Sequence, residues 1–385
     1  MKNKNKKKNV ILLGATGSIG YSALRLLRQN KHLFNLIGVS ANKNAKLLSQ
    51  IVNEFNVPNV VLSNEENIDD YYAKQTLQIG GASLINLAAL ECDIVISGIS
   101  GLSGLHAAYA AVNAGNDLAI ANKETLVAAG KIFMDKAKKT NANILPVDSE
   151  HSAIFQCLNK NNIANVDFIT LTASGGPFLN TPVEQLKNIK PEDAIKHPVW
   201  NMGKKISVDS ATMINKALEI IEASVLFGIE GKKIEVVIHP QSIVHGLVHY
   251  NDGSIIANLG YPDMITPLSV ALGWPNRLDL DLKKISLIEI SNLTFLKPDF
   301  DKFPGLKLGW NAIENPYCSP IVLNASNEIA VEYFLNNQIK FTDIYKVITE
   351  IFNAYSPKNP TCIDDIIEID TLTRLKTLNY IKRRL

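Results

Sequence analysis

The chain has 385 residues, 46% hydrophobic and 20% charged, the composition of a globular enzyme with room for two or three domains of about 100–200 residues each. A net charge of +2, with only six arginines among 39 basic residues, argues against a nucleic-acid partner, and the absence of an apolar run of about 18 residues argues against a membrane-spanning helix. Cys92, Cys157, Cys318 and Cys362 are far apart and form no CxxC pair, which excludes a disulfide framework or a cysteine zinc site and fits a reducing compartment.

Residues 1–9 are rich in Lys and Asn with no apolar core behind them, so they read as a frayed tail and not a signal peptide. Residues 10–13 then form a strand, and Gly14, Gly17 and Gly20 open a helix over 21–30. This G-x-x-G-x-x-G spacing is a variant of the dinucleotide fingerprint, in which small residues let backbone N–H groups at a helix N-terminus approach a pyrophosphate. A close-packed strand-to-helix turn without a ligand has the same spacing. A second strand over 35–40 ends at Asn42, Lys43 and Asn44, where an NAD enzyme carries an acid for the ribose hydroxyl. A lysine and two amides suit a 2′-phosphate instead, so the expected cofactor is NADP(H).

Alternation continues with a helix over 45–56, a strand over 59–62, helical patches to residue 90, a strand over 92–97, a helix over 105–114 and a strand over 117–121. A last strand over 143–147 completes a doubly wound parallel sheet, an α/β fold whose ligands bind at the carboxyl ends of strands. Asn122, Lys123 and Glu124 fall at that rim, as do Asp148 and Glu150. Read as a strand continuing past residue 147, Asp148 and Glu150 point to one face, and two close carboxylates suit a hard divalent cation. Read instead as a polar turn before a helix starting near Ser152, they are ordinary capping residues.

The pattern changes near residue 150, where the domain boundary is placed. A strand over 167–172 runs into Ser174, Gly175 and Gly176, and residues 174–205 form a proline-containing loop with a short helix over 183–188, read as a lid bearing His197 and Trp200. Residues 207–212 cap a helix over 213–227 whose core stripe is Ile214, Leu218, Ile221 and Val225. Asn215, Lys216 and Glu219 lie off that stripe, either as a surface ion pair or as a metal carboxylate beside a phosphate anchor. Strands over 234–239, 242–249 and 253–258 follow, the last two as a hairpin. His239, His245 and His249 lack a carboxylate or fourth ligand at useful spacing for zinc. Residues 283–311 read as an irregular connection, and helices over 322–336, 342–355 and 363–381 as a C-terminal bundle. The expected division is a cofactor domain over 1–150, a central α+β catalytic domain over 151–285, a linker over 286–311 and a helical domain over 312–385.

The assembled motifs resemble those of the 1-deoxy-D-xylulose 5-phosphate reductoisomerase family. The match rests on the glycine turn at 14–20, residues 121–124, 146–151, 174–177 and 205–213, Asn215-Lys216 with Glu219, residues 239–242 and residues 323–328. The resemblance implies that Asp148, Glu150 and Glu219 ligate one Mg2+ or Mn2+. It further implies that Ser174, Ser210, Asn215 and Lys216 receive a sugar phosphate, with His197 beside it in the lid, and that Lys123 and Ser149 contact the oxygenated carbons of the substrate. Lys123, Asp148, Glu150, Glu219 and His197 form its catalytic set. Thr16, Gly17, Ser18, Ile19, Asn42, Lys43, Asn44, Asn122, Glu124 and Gly203 would hold NADPH, with Asn42 standing where many relatives have Gly. The implied protein is a cytoplasmic homodimer of isoprenoid biosynthesis that rearranges and reduces 1-deoxy-D-xylulose 5-phosphate. A plain NADP dehydrogenase, which needs no three-carboxylate site, and an NADPH-binding redox sensor are the rival readings.

Overall fold

The structure, a computed structural model, describes residues 7–158, 163–200, 202–314 and 319–384. Residues 1–6 of the expected tail, Asn201 of the expected lid and Cys318 lie outside them. The chain divides into two compact units, one of Met1–Thr125, Phe133–Ser152 and Asp263–Leu282, the other of Leu126–Ile132, Ala153–Pro262 and Lys283–Leu385. This partition is coarser than the expected four segments. It returns 263–282 to the first unit because the helix Ile265–Gly273 packs on the helix Ser18–Gln29.

In the first unit the expected doubly wound sheet is present. Its strands are β1 (Lys8–Leu13), β2 (Phe34–Ala41), β3 (Asn59–Leu62), β4 (Leu77–Ile79), β5 (Ile94–Ser97), β6 (Asp117–Ile120) and β7 (Ile144–Pro146). They pair in parallel in the order β4-β3-β2-β1-β5-β6-β7. Their apolar runs, such as Val10 to Leu13 and Ile94 to Ile96, are buried throughout, as a sheet covered on both faces requires. The sheet order reverses between β1 and β5, which makes a crevice at the carboxyl ends of those two strands. β4 was expected as helix. Its three residues are too few to show a period, and Gly80 and Gly81 follow at once.

A second difference concerns Asp148 and Glu150. The edge strand β7 stops at Pro146, and the Asp148 carbonyl accepts the Ser152 N–H, so Asp148 is the capping residue of a helix, Ser149–Cys157. The alternation argument for a shared strand face therefore does not hold. Glu150 lies in the first turn of that helix, where the macrodipole favours an acid.

The second unit has a four-stranded sheet. Its strands are β8 (Val166–Ala173), β9 (Ile234–Ile238), β10 (Val244–Tyr250) and β11 (Ile255–Leu259), in the order β11-β10-β8-β9. The hairpin expected between the last two is present, with Gly253 at φ 83° in its turn. The stretch 207–212, expected as a cap, is mostly helix: Lys204–Ala211 is one short helix and Ile214–Phe227 the next, separated by Met213 at φ 62°. Serines and an aspartate read locally as caps, yet Lys205 and Asp209 support the shorter helix as an i, i+4 pair. Helices Ser319–Leu335, Phe341–Ala354 and Ile363–Arg384 pack together as expected, and a further helix, Lys307–Glu314, occupies the end of the stretch expected to be irregular. It approaches Ile214–Phe227 closely because Gly309 has no side chain: a Cβ there would lie 2.6 Å from the Ala217 carbonyl oxygen.

Candidate functional site

The carboxyl rim of the first unit carries most of the expected cofactor residues. Gly14 has φ 78°, and a Cβ on it would lie 2.8 Å from the Gly98 carbonyl oxygen, so β1 and β5 meet at the switch point through two glycines. Gly20 is required for a different reason, since its Cβ would lie 2.3 Å from the Ala15 carbonyl oxygen. Gly17, exposed at the start of the helix Ser18–Gln29, has its nearest contact at an ordinary 3.5 Å. Protein packing does not demand glycine at position 17, whereas a phosphate lying on the helix N-terminus does. Gly20→Ala is therefore expected to lower thermal stability by about 1–3 kcal/mol, and Gly17→Ala to leave it within about 0.5 kcal/mol while weakening NADPH binding. Melting curves with and without NADPH check both, and equal destabilisation by the two substitutions would contradict the division of roles.

At the end of β2, Lys43 is exposed and pairs with Glu66 at 2.7 Å, a partner in a following loop that its neighbours in the sequence do not suggest. Asn44 spends its side-chain oxygen capping the next helix through Leu47 N–H, and Asn42 is exposed. Asn122 is buried, and its side chain is fully committed. Its amide donates to the carbonyls of Ile99 and Gly101, and its oxygen caps the helix Lys123–Thr140 through Thr125 N–H. Glu124 follows in the first turn of that helix.

Lys123, next to that cap, is buried and pairs with Asp148 across the rim. Burial alone would raise the Asp148 pKa, but the Lys123 ammonium overrides it and, with His151, holds the carboxyl well below the usual carboxylate range. His151 is wholly buried one helical turn beyond Asp148, its Nδ1 3.7 Å from the carboxylate. The i, i+3 spacing in a helix is the signal for that pair, hidden as long as the stretch is read as a strand. Ser149 donates to Glu150.

In the second unit, Asn215 and Lys216 both donate to Glu219, as i, i+4 and i, i+3 neighbours on Ile214–Phe227. Lys216 and Glu219 are almost wholly buried, so the surface-pair reading of them does not apply. Glu222, one turn further on, is equally buried and carries no signal in the sequence beyond its i+3 spacing. Ser174 meets His197 at 3.0 Å between Oγ and Nε2, and burial pulls the His197 pKa down to about 4, so the imidazole is neutral at pH 7. Gly176, at φ 67°, donates its N–H to Ser174 Oγ and leaves no room for a Cβ, which would lie 2.8 Å from the Ser210 carbonyl oxygen. That close approach brings the Ser174 loop against the helix of Ser210. Gly203 precedes the same helix as its capping residue. The lid segment itself contains a 3-10 turn, Val183–Asn188, and a short helix, Pro191–Ala194. The three expected strand histidines have structural partners: His239 bonds Thr294 O, His245 bonds Gly260 O and His249 bonds Thr170 Oγ1.

Residues 10–130 match the family model of 1-deoxy-D-xylulose 5-phosphate reductoisomerase, residues 144–227 that of the 1-deoxy-D-xylulose 5-phosphate reductoisomerase C-terminal domain and residues 259–376 that of the DXP reductoisomerase C-terminal domain. The chain is 45% identical over 375 residues to the 1-deoxy-D-xylulose 5-phosphate reductoisomerase of Clostridium novyi (strain NT), covering 95% of this chain and 97% of that one. It is 44% identical over 376 residues to the enzyme of Clostridium botulinum (strain Okra / Type B1), with 95% and 97% covered. Among solved structures, that of the Zymomonas mobilis enzyme in complex with NADPH aligns with a TM-score of 0.94 at 38% identity, over 99% of this chain and 100% of that one. A DOX-P reductoisomerase in complex with NADPH, fosmidomycin and magnesium aligns with a TM-score of 0.91 at 38% identity, over 97% and 98%.

Proposed function

The chain belongs to the 1-deoxy-D-xylulose 5-phosphate reductoisomerase family, and from that premise we propose that it converts 1-deoxy-D-xylulose 5-phosphate to 2-C-methyl-D-erythritol 4-phosphate with NADPH and Mg2+ or Mn2+. It is an NADP-dependent oxidoreductase. The observation that carries the reading is the buried Lys123–Asp148 pair on the carboxyl rim of a dinucleotide-type sheet, in a chain that matches the family nearly end to end.

The donor set fits both groups. Asp148, Glu150 and Glu219 are assigned to the cation, an all-oxygen set of the kind hard divalent cations take, with Asp148 kept ionised by Lys123. The glycine turn with its open position at Gly17, together with Thr16, Ser18, Ile19, Asn42, Lys43, Asn44, Asn122, Glu124 and Gly203, is assigned to NADPH. For Asn122 that assignment rests on the backbone, since its side chain is engaged elsewhere. When bound, the cation polarises the ketone and neighbouring hydroxyl of the substrate as a Lewis acid, favouring the carbon-skeleton rearrangement, and NADPH supplies the hydride.

The side chains do the rest. Ser174, Ser210, Asn215 and Lys216 hold the substrate phosphate, so binding energy remote from the reacting carbons orients them. Neutral His197 keeps Ser174 Oγ oriented by its hydrogen bond. Lys123 and Ser149 contact the oxygenated carbons, and residues 174–205 close over the site and exclude water while the aldehyde awaits reduction. A cytoplasmic homodimer belongs to the same proposal. Cys92 and Cys362 are free thiols, as in a reducing compartment, and the edge strand β11 exposes Ile255 and Ile256, a surface suited to a second copy.

NADPH oxidation is expected to require both 1-deoxy-D-xylulose 5-phosphate and Mg2+ or Mn2+, to stop on chelation, and to come from particles of about twice the 42.3 kDa chain mass by light scattering. Metal-independent oxidation with a semialdehyde would point instead to a plain dehydrogenase, and NADPH binding without turnover under any metal to a sensor.

A further inference from the structure

Asp209 is a carboxylate with 1% exposure on the eight-residue helix Lys204–Ala211, next to Ser210. A helix of two turns has little stability of its own and takes its orientation from what it is tied to. Asp209 ties it to a second helix and braces it internally. Its Oδ1 accepts from Asn327 Nδ2 at 2.8 Å, across 118 residues of chain, and its Oδ2 pairs with Lys205 at 2.9 Å. Asn327 is wholly buried in the middle of the helix Ser319–Leu335. The next residue of that helix, Glu328, is gripped by Arg374 of the C-terminal helix, which Asp370 also holds. The helix Ser319–Leu335 is thus a buried polar spine, bound to the C-terminal helix on one side and to the helix of Ser210 on the other. Residues 207–209 and 211 face the interior while Ser210 remains partly open, so rotation of the short helix about its axis decides where the Ser210 hydroxyl points. Asn327 fixes this rotation from the bundle by a directed side-chain hydrogen bond to Asp209.

We propose that Asp209, held by Asn327, is a positioning residue for phosphate recognition, setting the orientation of the helix that presents Ser210. The proposal rests on the assignment of Ser210, Asn215 and Lys216 to the substrate phosphate, and it adds to that assignment a pair of residues that do not touch the ligand.

The test is a donor–acceptor swap in the full-length enzyme. Asn327→Asp sets two buried carboxylates against each other. Adding Asp209→Asn restores one amide and one carboxylate, with the new amide donating to position 327 and its oxygen facing Lys205. In Asn327→Asp, the KM for the phosphorylated substrate and the inhibition constant of inorganic phosphate are expected to rise together by about tenfold, with kcat within about threefold, and both to return to within about threefold of the parent in the double variant. A merely structural role would lower the melting temperature and the active fraction and leave KM and phosphate inhibition unchanged, and that result overturns the proposal, as does failure of the swap to restore phosphate affinity. Where Asn327→Asp does not fold, Asn327→Ala, which removes the donor without adding charge, is read in the same way. Ser210→Ala is the control: phosphate inhibition insensitive to it defeats the phosphate assignment itself, whereas sensitivity to Ser210→Ala without sensitivity to the Asn327 variants defeats only the positioning role.

Discussion

Glu219→Gln is expected to lower kcat by about 10³-fold, because the proposed Lewis-acid site, worth several kcal/mol, loses one of its three assigned carboxylates while the side-chain shape is kept. The same substitution should leave phosphate recognition intact. Lys216 and Asn215 both donate to Glu219, and Lys216 is buried with it. Removing the carboxylate takes the Glu219 partner from the ammonium and leaves it better able to meet a bound phosphate. Competition by inorganic phosphate should therefore be as strong as in the parent or stronger, while turnover collapses at saturating Mg2+ or Mn2+. The free variant should melt lower, since a buried ion pair broken on one side costs about 3–5 kcal/mol. Steady-state kinetics with phosphate as inhibitor, read beside melting curves, separates these effects. Undiminished metal-dependent turnover in the folded variant would remove Glu219 from the cation site.

Lys123→Met has the second large effect, on stability as well as catalysis. It leaves the Asp148 carboxylate buried without its ammonium, at a cost of about 3–5 kcal/mol. A divalent cation replaces the missing positive charge, so Mg2+ or Mn2+ should raise the melting temperature of the variant more than that of the parent, while turnover stays low for want of a substrate contact. The pH dependence without metal weakens. In the parent the Asp148 pKa lies below its unfolded value, so the pair stabilises above about pH 4 and that contribution is lost as the pH falls through the lower folded value. In the variant only His151 and Glu150 are left to oppose burial, so the folded pKa moves up from its parent position and the stability lost on acidification towards about pH 4 should shrink. Melting curves across that range, with a chelator present, check the difference in slope. Parallel slopes would mean that Lys123 does not set the charge of Asp148.

The dinucleotide turn was legible because its glycines stand between an apolar strand and an amphipathic helix, and that context is local. Asp148 and Glu150 stand out in the sequence as two acids on the carboxyl rim, but the strand geometry read for them there is not the one the fold has. Pro146 and the capping tendency of an aspartate end the strand and start a helix, and the i, i+3 partner His151 followed only from that helix. Asn122 could be read as a cap from its place before a helix, yet its bonds to the 99–101 loop depend on β5 and β6 lying side by side. Lys43 looked free to meet a 2′-phosphate until Glu66 appeared beside it.

Taken alone, the sequence determined what short-range physics determines: the α/β alternation, the turn chemistry, the residue types assigned to a hard-cation and phosphate site, and through its motifs the family. Only the tertiary structure decided which partner each buried charge meets. Lys123 with Asp148 and Asp209 with Asn327 are brought together by packing across 25 or more positions of chain, and no local propensity encodes such a pairing. The reason is that burying a charge is tolerable only beside a partner, and folding the whole core is what selects that partner.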